Sequence, residues 1–465
     1  MPPAKPFASG VIEGFYGPPW NQAERTQLFA WMKEWGLNTY FYGPKDDLKH
    51  RAIWRAPYTA NELAALRELI SQCEGAGFEF VYALSPGLDV QYSKPEDFES
   101  IIRRFETLQS LGARGFCLLF DDIPDRMHPE DAARWPSLAA AQAELTNRAY
   151  AWTRQHGING RFLFCPTPYC GRMARRRHGG AGYLETIGAQ LDPDIGVFWT
   201  GPEIISHEIS LAHVREVRQA LRRKPILWDN FFANDYDGRR LYLGPYTGRS
   251  VELLQEVDGI LCNPNNEFPL NYPGLRTYAE FLQARGAWDA RASHERAIQA
   301  WTPEFETVRG AMSTTEVQLL ADAFYWPHSE GPSAETLYES ARALLAVPPE
   351  AWGDDAEAFC SAAQRLREVC ARIAELRNRP LFYALSRRVW ELREELDLLE
   401  NSIRRRRDPA QRSQPWASDF HLPRLYRGGL TARLQRLIRQ NPDGTFAAAV
   451  TPEPQLSPTH DALND

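Results

Sequence analysis

Eight short apolar runs, separated by longer amphipathic stretches, constrain the fold of this 465-residue chain more than any other feature. The runs are VIEGFYG (11–17), TYFYG (39–43), FEFVYALS (78–85), GFCLLF (115–120), RFLFCPT (161–167), IGVFWTG (195–201), PILWDN (225–230) and GILCNPN (259–265). Helical patterns such as QAERTQLFAWMKEWG and LAHVREVRQALRR lie between them. Eight strands, each followed by a helix, predict an α/β fold with a (β/α)8 barrel. An open doubly wound sheet is the alternative, but no Gly-rich phosphate loop follows the first strand.

The strand pattern ends near residue 300, and helical patterns follow it. One stripe of apolar residues recurs there with alternating spacings of four and three: Leu385, Val389, Leu392, Leu396, Leu399 and Ile403. Such a stripe is typical of an antiparallel helical bundle or of a coiled-coil partner surface. We therefore expect a barrel domain over residues 1–290, an all-α helical bundle over 291–445 and a disordered tail over 446–465.

Composition and charge exclude several classes of function. The net charge of −7 argues against a nucleic-acid partner, because no basic excess is present to neutralise phosphates. No run of about 18 apolar residues predicts a membrane span, and the N-terminus has no apolar region of the signal-peptide type. Seven scattered cysteines are typical of reduced, buried thiols, so we expect a cytoplasmic protein.

Polar and aromatic side chains gather where the predicted strands end, which is where (β/α)8 enzymes place their active sites. Amides, carboxylates, one lysine and aromatic rings in such a set suit a ligand with many hydroxyl groups. Histidine is nearly absent from these ends, so catalysis by carboxylates is favoured over catalysis by a metal, and no cofactor is predicted. A magnesium ion on an Asp cluster stays open as an alternative. The strand ends carry Gly14, Lys45, Asp121, Asp122, Tyr169, Trp228, Asp229, Asn230, Asp235 and Asn263.

Two adjacent carboxylates, Asp121 and Asp122, follow the apolar run GFCLLF directly. Glycoside hydrolysis is a natural chemistry for paired acids, but its ordinary form needs carboxylates roughly 5 to 10 Å apart on opposite sides of the bond. Neighbouring residues serve more easily if a 2-acetamido sugar supplies its own nucleophile and forms an oxazoline. One Asp then orients the amide N–H and the other protonates the leaving oxygen.

Nine motifs follow one another along the sequence: GVIEGFYGPPW, LNTYFYGPKDDLKHR, ALSPGLDV, LLFDDI, FLFCPTPYCG, WTGPEI, WDNFFANDYD, LGPYTGRS and NPNNEF. Together they resemble the family 84 glycoside hydrolases, the O-GlcNAcases and their bacterial β-N-acetylglucosaminidase relatives. The resemblance covers residues 9–285 densely and continues less densely into a region similar to the O-GlcNAcase stalk domain. It implies a retaining exo-β-N-acetylglucosaminidase that acts on O-GlcNAc-modified proteins, peptides or other β-GlcNAc conjugates, and a homodimer formed through the stalk.

The resemblance also implies roles for individual residues. Asp121 would orient the acetamido group and stabilise the oxazoline, and Asp122 would be the general acid and then the base for water. The remaining positions would hold the sugar: Gly14 and Lys45 its hydroxyls, Cys165, Tyr169 and Trp228 the N-acetyl methyl, Asn230 with Asp229 the acetamido group, and Asp235 and Asn263 the hydroxyls at the far side of the ring.

Two alternatives remain open from the sequence. A non-catalytic protein that binds GlcNAc conjugates in the same pocket would need no general acid, so the presence of both Asp121 and Asp122 argues against it. The Arg-rich segment RMARRRHGG (172–180), which follows the fifth strand, is either a mobile surface loop or a contact for an acidic substrate or product.

Overall fold

A closed barrel of eight parallel strands forms the first part of the computed structural model, which describes residues 6–412, 414, 416, 426–441 and 445–447. Each strand pairs with its neighbour in chain order, and the eighth closes on the first with Ala8 opposite Gly259. The predicted barrel is therefore confirmed. The strands are β1 (Ala8–Glu13), β2 (Thr39–Tyr42), β3 (Glu79–Leu84), β4 (Gly115–Leu119), β5 (Phe162–Cys165), β6 (Gly196–Trp199), β7 (Ile226–Asp229) and β8 (Gly259–Cys262).

Strand β1 begins three residues earlier than the apolar run 11–17 predicts, and it ends at Glu13. The added residues are Ala8, Ser9 and Gly10, which are too small to register as an apolar run. Close packing requires the glycine, because a Cβ atom at Gly10 would lie 1.7 Å from the carbonyl oxygen of Thr39 on β2. Backbone proximity, rather than hydrophobicity, therefore sets this end of the strand.

Helices connect the strands at most positions. Helices α1 and α2 begin with capping boxes, in which Asn21 pairs with Glu24 and Thr59 with Glu62. The helices are α1 (Gln22–Glu34), α2 (Ala60–Ala76), α3 (Pro95–Ser110), α4 (Pro129–Arg134), α5 (Leu138–Gln155), α6 (Gly171–Arg175), α7 (Tyr183–Gln190), α8 (Leu211–Leu221) and α9 (Tyr272–Gln283).

The expectation of one helix after every strand is wrong at β7. A long loop follows this strand, and the segment before β8 holds only a short 3-10 helix, Val251–Gln255. Gly238, the Gly244-Pro245 pair and Gly248 interrupt the intervening sequence. Glycine and proline are unfavourable in helix interiors, so no α-helical period is established there.

The chain divides into two compact units. The first unit contains the barrel and consists of the described residues up to Asp235 together with Tyr246–Phe268 and Tyr278–Trp288. Its interior cluster includes Ile12, Phe41, Cys165, Tyr169 and Trp228 among its buried side chains. The second unit contains Tyr236–Pro245, Pro269–Thr277 and the described residues from Asp289 onward.

The second unit is built mainly of helices packed around one apolar core. Helices α13 and α14 are antiparallel, since Arg407 pairs with Glu357 and Arg367 with Asp397. The predicted stripe from Leu385 to Ile403 is buried in this core, with every member at most 1% exposed. The helices are α10 (Ala290–Trp301), α11 (Thr314–Ala323), α12 (Pro332–Ala346), α13 (Asp355–Ile373), α14 (Arg379–Arg407) and α15 (Gly429–Gln435).

Short elements complete the second unit. Two two-stranded ribbons pair β9 (Glu306–Thr307) with β10 (Gly310–Ala311) and β11 (Arg439–Gln440) with β12 (Phe446–Ala447). Further 3-10 turns span Phe268–Leu270, Thr302–Phe305 and Pro349–Ala351. The predicted tail over 446–465 therefore begins with a short strand, and from residue 448 it lies outside the described residues.

Candidate active site

Asp121 and Asp122 lie just beyond the carboxyl end of β4 and occupy different environments. Asp121 is buried, whereas Asp122 is exposed. Asp122 has a φ of +50°, in the left-handed region that few residues other than glycine adopt, although aspartate tolerates it better than most. A strained backbone at an exposed carboxylate is a common feature of functional sites. The sharp turn ends the strand and gives the two neighbouring carboxylates different surroundings.

Two cations surround Asp121. Its Oδ2 lies 2.5 Å from Nζ of Lys45, and its backbone carbonyl accepts a hydrogen bond of 3.3 Å from Arg51. Burial raises the pKa of the Asp121 carboxyl, but the charges of Lys45 and Arg51 and the Lys45 hydrogen bond outweigh it, so the net pKa is lowered. Asp121 is therefore ionised at neutral pH. Its other oxygen, Oδ1, is buried and has no hydrogen-bond partner within the described part of the chain.

Two tyrosine hydroxyls hold the carboxylate of Asp122. Tyr169 donates to Oδ1 at 2.7 Å and Tyr16 donates to Oδ2 at 3.1 Å. The backbone N–H of Tyr16 donates in turn to Asp235 at 2.9 Å, so one residue contacts two of the predicted site carboxylates. Burial raises the pKa of Asp235, and the hydrogen bond from the Tyr16 amide opposes that rise.

An apolar wall lies beside the two aspartates. Trp228, Tyr169 and Cys165 belong to the same buried cluster, and Nζ of Lys45 lies 5.9 Å from the centre of the Trp228 ring. A Cβ atom at Gly14 would approach the Trp228 ring to 2.7 Å, so glycine permits the close contact of β1 with this ring. Burial raises the pKa of the Cys165 thiol well above its ordinary value, which keeps it protonated and apolar.

Asn230 and Asn263 are brought together at the ends of β7 and β8. The Asn263 side-chain amide donates to Oδ1 of Asn230 at 2.9 Å, and the Asn230 amide donates to the carbonyl of Ile204 at 2.9 Å. Oδ1 of Asn263 is buried and, among the described residues, has no partner. The pair therefore presents a fixed acceptor at the same end of the barrel as Asp121.

Asp229 does not face the site in the way its predicted role requires. It is completely buried, and Arg249 binds both of its carboxylate oxygens at 2.7 and 2.8 Å. Tyr246 donates to the same carboxylate at 2.6 Å, and the Phe231 N–H does so at 3.1 Å. With both oxygens already bonded to protein groups, Asp229 fixes the end of β7 and the position of Asn230.

Three residues beside the aspartates have no place in the predicted site: Tyr16, Arg51 and His50. Arg51 donates to the carbonyls of both Asp121 and Asp122, the second at 2.7 Å, and so fixes the turn between them. His50 is buried, and burial together with the Lys45 charge lowers its pKa to about 3, so it stays neutral. His50 and Arg51 lie in a loop, so a prediction based on strand ends alone does not find them, although both belong to the motif LNTYFYGPKDDLKHR.

Two absences among the described residues concern metal binding and membrane insertion. No group of three or more His, Cys, Asp or Glu side chains within them is placed to hold a metal ion. None of the described helices combines the length and the apolar character required to span a lipid bilayer.

Comparison with known proteins relates this site to one enzyme family. The family model described as beta-N-acetylglucosaminidase matches residues 9–315. Over 281 residues the chain is 44% identical to the Protein O-GlcNAcase of Mus musculus and of Rattus norvegicus. This match covers 60% of the chain but only 30% of each relative, so the chain spans less than a third of their length.

Two solved structures resemble the chain over most of its length. An O-GlcNAc hydrolase mutant of Thermobaculum terrenum is 28% identical with a TM-score of 0.73, and the match covers 85% of this chain and 83% of that one. The protein CpGH84B is 27% identical with a TM-score of 0.74, covering 87% and 70%. Because the family model matches well over half of the sequence, this chain belongs to the β-N-acetylglucosaminidase family.

Proposed function

We propose that the chain is a retaining exo-β-N-acetylglucosaminidase that removes O-linked GlcNAc from proteins or peptides through an oxazoline intermediate. The observation that carries this proposal is the contrast between two adjacent carboxylates. Asp121 is buried, is ionised by Lys45 and Arg51, and has one oxygen without a partner among the described residues. Asp122 is exposed and held by two tyrosines. Asp121 thus suits an acceptor for the acetamido N–H, and the exposed Asp122 is the neighbouring carboxyl group that can exchange a proton with the leaving oxygen.

The other carboxylates at the strand ends favour a mechanism in which the substrate, and not the protein, supplies the nucleophile. An enzymic nucleophile would be a carboxylate roughly 5 to 5.5 Å from the general acid, across the scissile bond. Two other acids at strand ends are already bound: Glu13 by Arg25, Trp20 and Tyr40, and Asp229 by Arg249. A third acid, Asp235, accepts a hydrogen bond from the backbone N–H of Tyr16, and we assign it to a sugar hydroxyl. Adjacent residues do not easily flank a glycosidic bond, so we assign the attack to the acetamido oxygen.

The other side chains then form the sugar pocket. Trp228, Tyr169 and Cys165 would enclose the N-acetyl methyl with buried apolar surface. Lys45, Asp235, Asn263 and the carbonyl of Gly14 would bind hydroxyl groups, and Asn230 would support the acetamido group. Oδ1 of Asn263, which no group in the described part of the chain contacts by a hydrogen bond, is an acceptor available for such a hydroxyl.

The mechanism is tested with a series of aryl β-GlcNAc glycosides whose N-acetyl group carries zero to three fluorines. Fluorine lowers the basicity of the amide oxygen, so kcat/KM should fall with each fluorine, and the first sugar product should be the β-anomer. A flat series, or product of inverted configuration, would exclude attack by the acetamido group. A chain that bound the glycosides without hydrolysing them would instead be a GlcNAc-conjugate binding protein.

A pH profile tests the electrostatic role of Lys45. A lowered pKa keeps Asp121 ionised and active down to acidic pH, and activity is lost as the pH falls through that pKa. Lys45→Met removes the nearest cation, so the pKa of Asp121 should rise and the acidic limb of kcat/KM should move to higher pH. Lys49→Met is the matched control, because Lys49 pairs with Glu62 and not with Asp121. An unchanged acidic limb in Lys45→Met would contradict the assignment.

Two broader properties are also proposed. All seven cysteines are buried and free, which supports function in a reducing compartment such as the cytoplasm. A homodimer through the helical unit is supported by an apolar groove of about 610 Å³ whose lining includes Phe382, Arg387 and Trp390, with Trp390 49% exposed. The stripe from Leu385 to Ile403 is buried within the bundle, so we propose the face of α14 that carries this groove as the dimer contact. The molar mass of the chain in solution tests the dimer.

A further inference from the structure

The segment Arg172–His178, here called the basic loop, begins within the short helix α6 and carries four arginines. These arginines differ in the contacts that they make. Arg172 lies 2.8 Å from Glu203 and Arg175 lies 3.6 Å from the same carboxylate. Arg176 and Arg177 are exposed, and within the described part of the chain neither has a carboxylate at ion-pair distance. The loop therefore presents two unneutralised guanidinium groups on a chain whose net charge is −7.

Contacts at both ends fix the position of the basic loop. Where the loop begins, the N–H groups of Gly171 and Arg172 donate to the carbonyls of Gly201 and Pro202 at 2.9 and 2.8 Å. Where it ends, Nδ1 of His178 lies 3.4 Å from Oδ2 of Asp125. The loop is thus anchored against the connections that follow β4 and β6.

The loop borders the leaving-group side of the proposed reaction. Tyr169, three residues before Arg172, bonds to Asp122, and His178 contacts Asp125, three residues after Asp122. A general acid must lie within hydrogen-bond reach of the glycosidic oxygen, and the leaving group extends beyond that oxygen. The basic loop is therefore linked at its start to Asp122 itself and at its end to a residue three positions from Asp122, the carboxyl group that would meet the leaving group.

We propose that Arg176 and Arg177 select aglycones that carry anionic groups close to the glycosylated residue, so that acidic peptides are preferred substrates. A guanidinium group binds carboxylate or phosphate through two parallel hydrogen bonds, which suits side chains of glutamate or phosphoserine. This inference rests on the proposed function, because it assigns the substrate class of the same site.

The test compares four substrates: an aryl β-GlcNAc glycoside and three O-GlcNAc-serine peptides of equal length, with glutamine, glutamate or phosphoserine at the flanking positions. For the unaltered chain at low salt, kcat/KM for the glutamate and phosphoserine peptides should exceed that for the glutamine peptide by about tenfold. Arg176→Gln/Arg177→Gln should reduce that ratio to about one and leave aryl glycoside hydrolysis unchanged. The two anionic peptides distinguish a carboxylate preference from a phosphate preference.

Arg114→Gln/Arg222→Gln is the matched control. Arg114 and Arg222 are exposed and precede β4 and β7, at the opposite end of the barrel. The backbone of Arg222 has a left-handed conformation with φ of +56°, which matches the φ of +57° at Arg177. This pair removes the same charge and should keep the peptide ratio. Charge reversal with Arg176→Glu/Arg177→Glu should push the ratio below one.

Equal turnover of the neutral and acidic peptides by the unaltered chain would overturn the proposal, as would a preference that survives Arg176→Gln/Arg177→Gln. Both outcomes leave aryl glycoside hydrolysis intact and so leave the proposed function standing. Failure to hydrolyse even the aryl glycoside would instead defeat the proposed function itself.

Discussion

Replacing Asp121 with alanine should lower kcat/KM by about 10²–10⁴-fold for every β-GlcNAc substrate, whatever its leaving group. The physical reason is that Asp121 would act on the acetamido group and not on the leaving oxygen. Its ionised carboxylate would accept the amide N–H and stabilise the positive charge that develops as the oxazoline forms. A better leaving group does not replace that interaction, so a plot of log kcat/KM against leaving-group pKa should shift downward without changing slope.

A loss of folding must be separated from a loss of chemistry in this variant. Lys45 is almost fully buried against Asp121, and removing one partner of a buried ion pair costs about 3–5 kcal/mol of stability. Asp121→Asn/Lys45→Met leaves neither charge behind and should recover thermal stability without recovering activity. If Asp121→Ala kept its activity toward activated aryl glycosides, the carboxylate would have no role in the attack.

The barrel could be predicted because its signals are local and repeated. Each of the eight apolar runs is long enough to identify a buried strand, and the parallel order follows from the helices between them. The early start of β1 and the missing helix after β7 could not be found this way. The first depends on the distance from Gly10 to a neighbouring strand, and the second on glycines and a proline in a long connection.

Residue type and position identified most of the site but not what each side chain binds. Asp121 and Asp229 both lie where a strand ends, yet Asp121 has an oxygen without a partner among the described residues. Both oxygens of Asp229 are bound by Arg249, a residue 20 positions away along the chain. Arg51 reaches the Asp121-Asp122 turn from a loop after another strand. Such pairings depend on tertiary distance, which a single sequence does not record.

Asp122→Ala should lower kcat/KM strongly for substrates with poor leaving groups and only slightly for substrates with good ones. For alkyl and peptide aglycones, which need a proton on the departing oxygen, kcat/KM should fall by about 10²–10⁴-fold. For aryl glycosides with strongly acidic phenols, kcat/KM should change by only about threefold, because the phenolate departs without help. The plot of log kcat/KM against leaving-group pKa should therefore become much steeper than that of the unaltered chain, in contrast to the parallel shift expected for Asp121→Ala.

The second step of the reaction gives an independent readout of the same residue. After the phenolate has left, water must attack the oxazoline, and Asp122 would be the base for that water. In Asp122→Ala the oxazoline should therefore accumulate, and activated aryl substrates should show a burst of phenolate followed by a slow steady rate. Asp125→Ala, an exposed aspartate in the same connection that contacts His178, should show neither effect. Parallel plots for the Asp122 and Asp121 variants, with no burst in either, would reverse or remove the proposed division of roles.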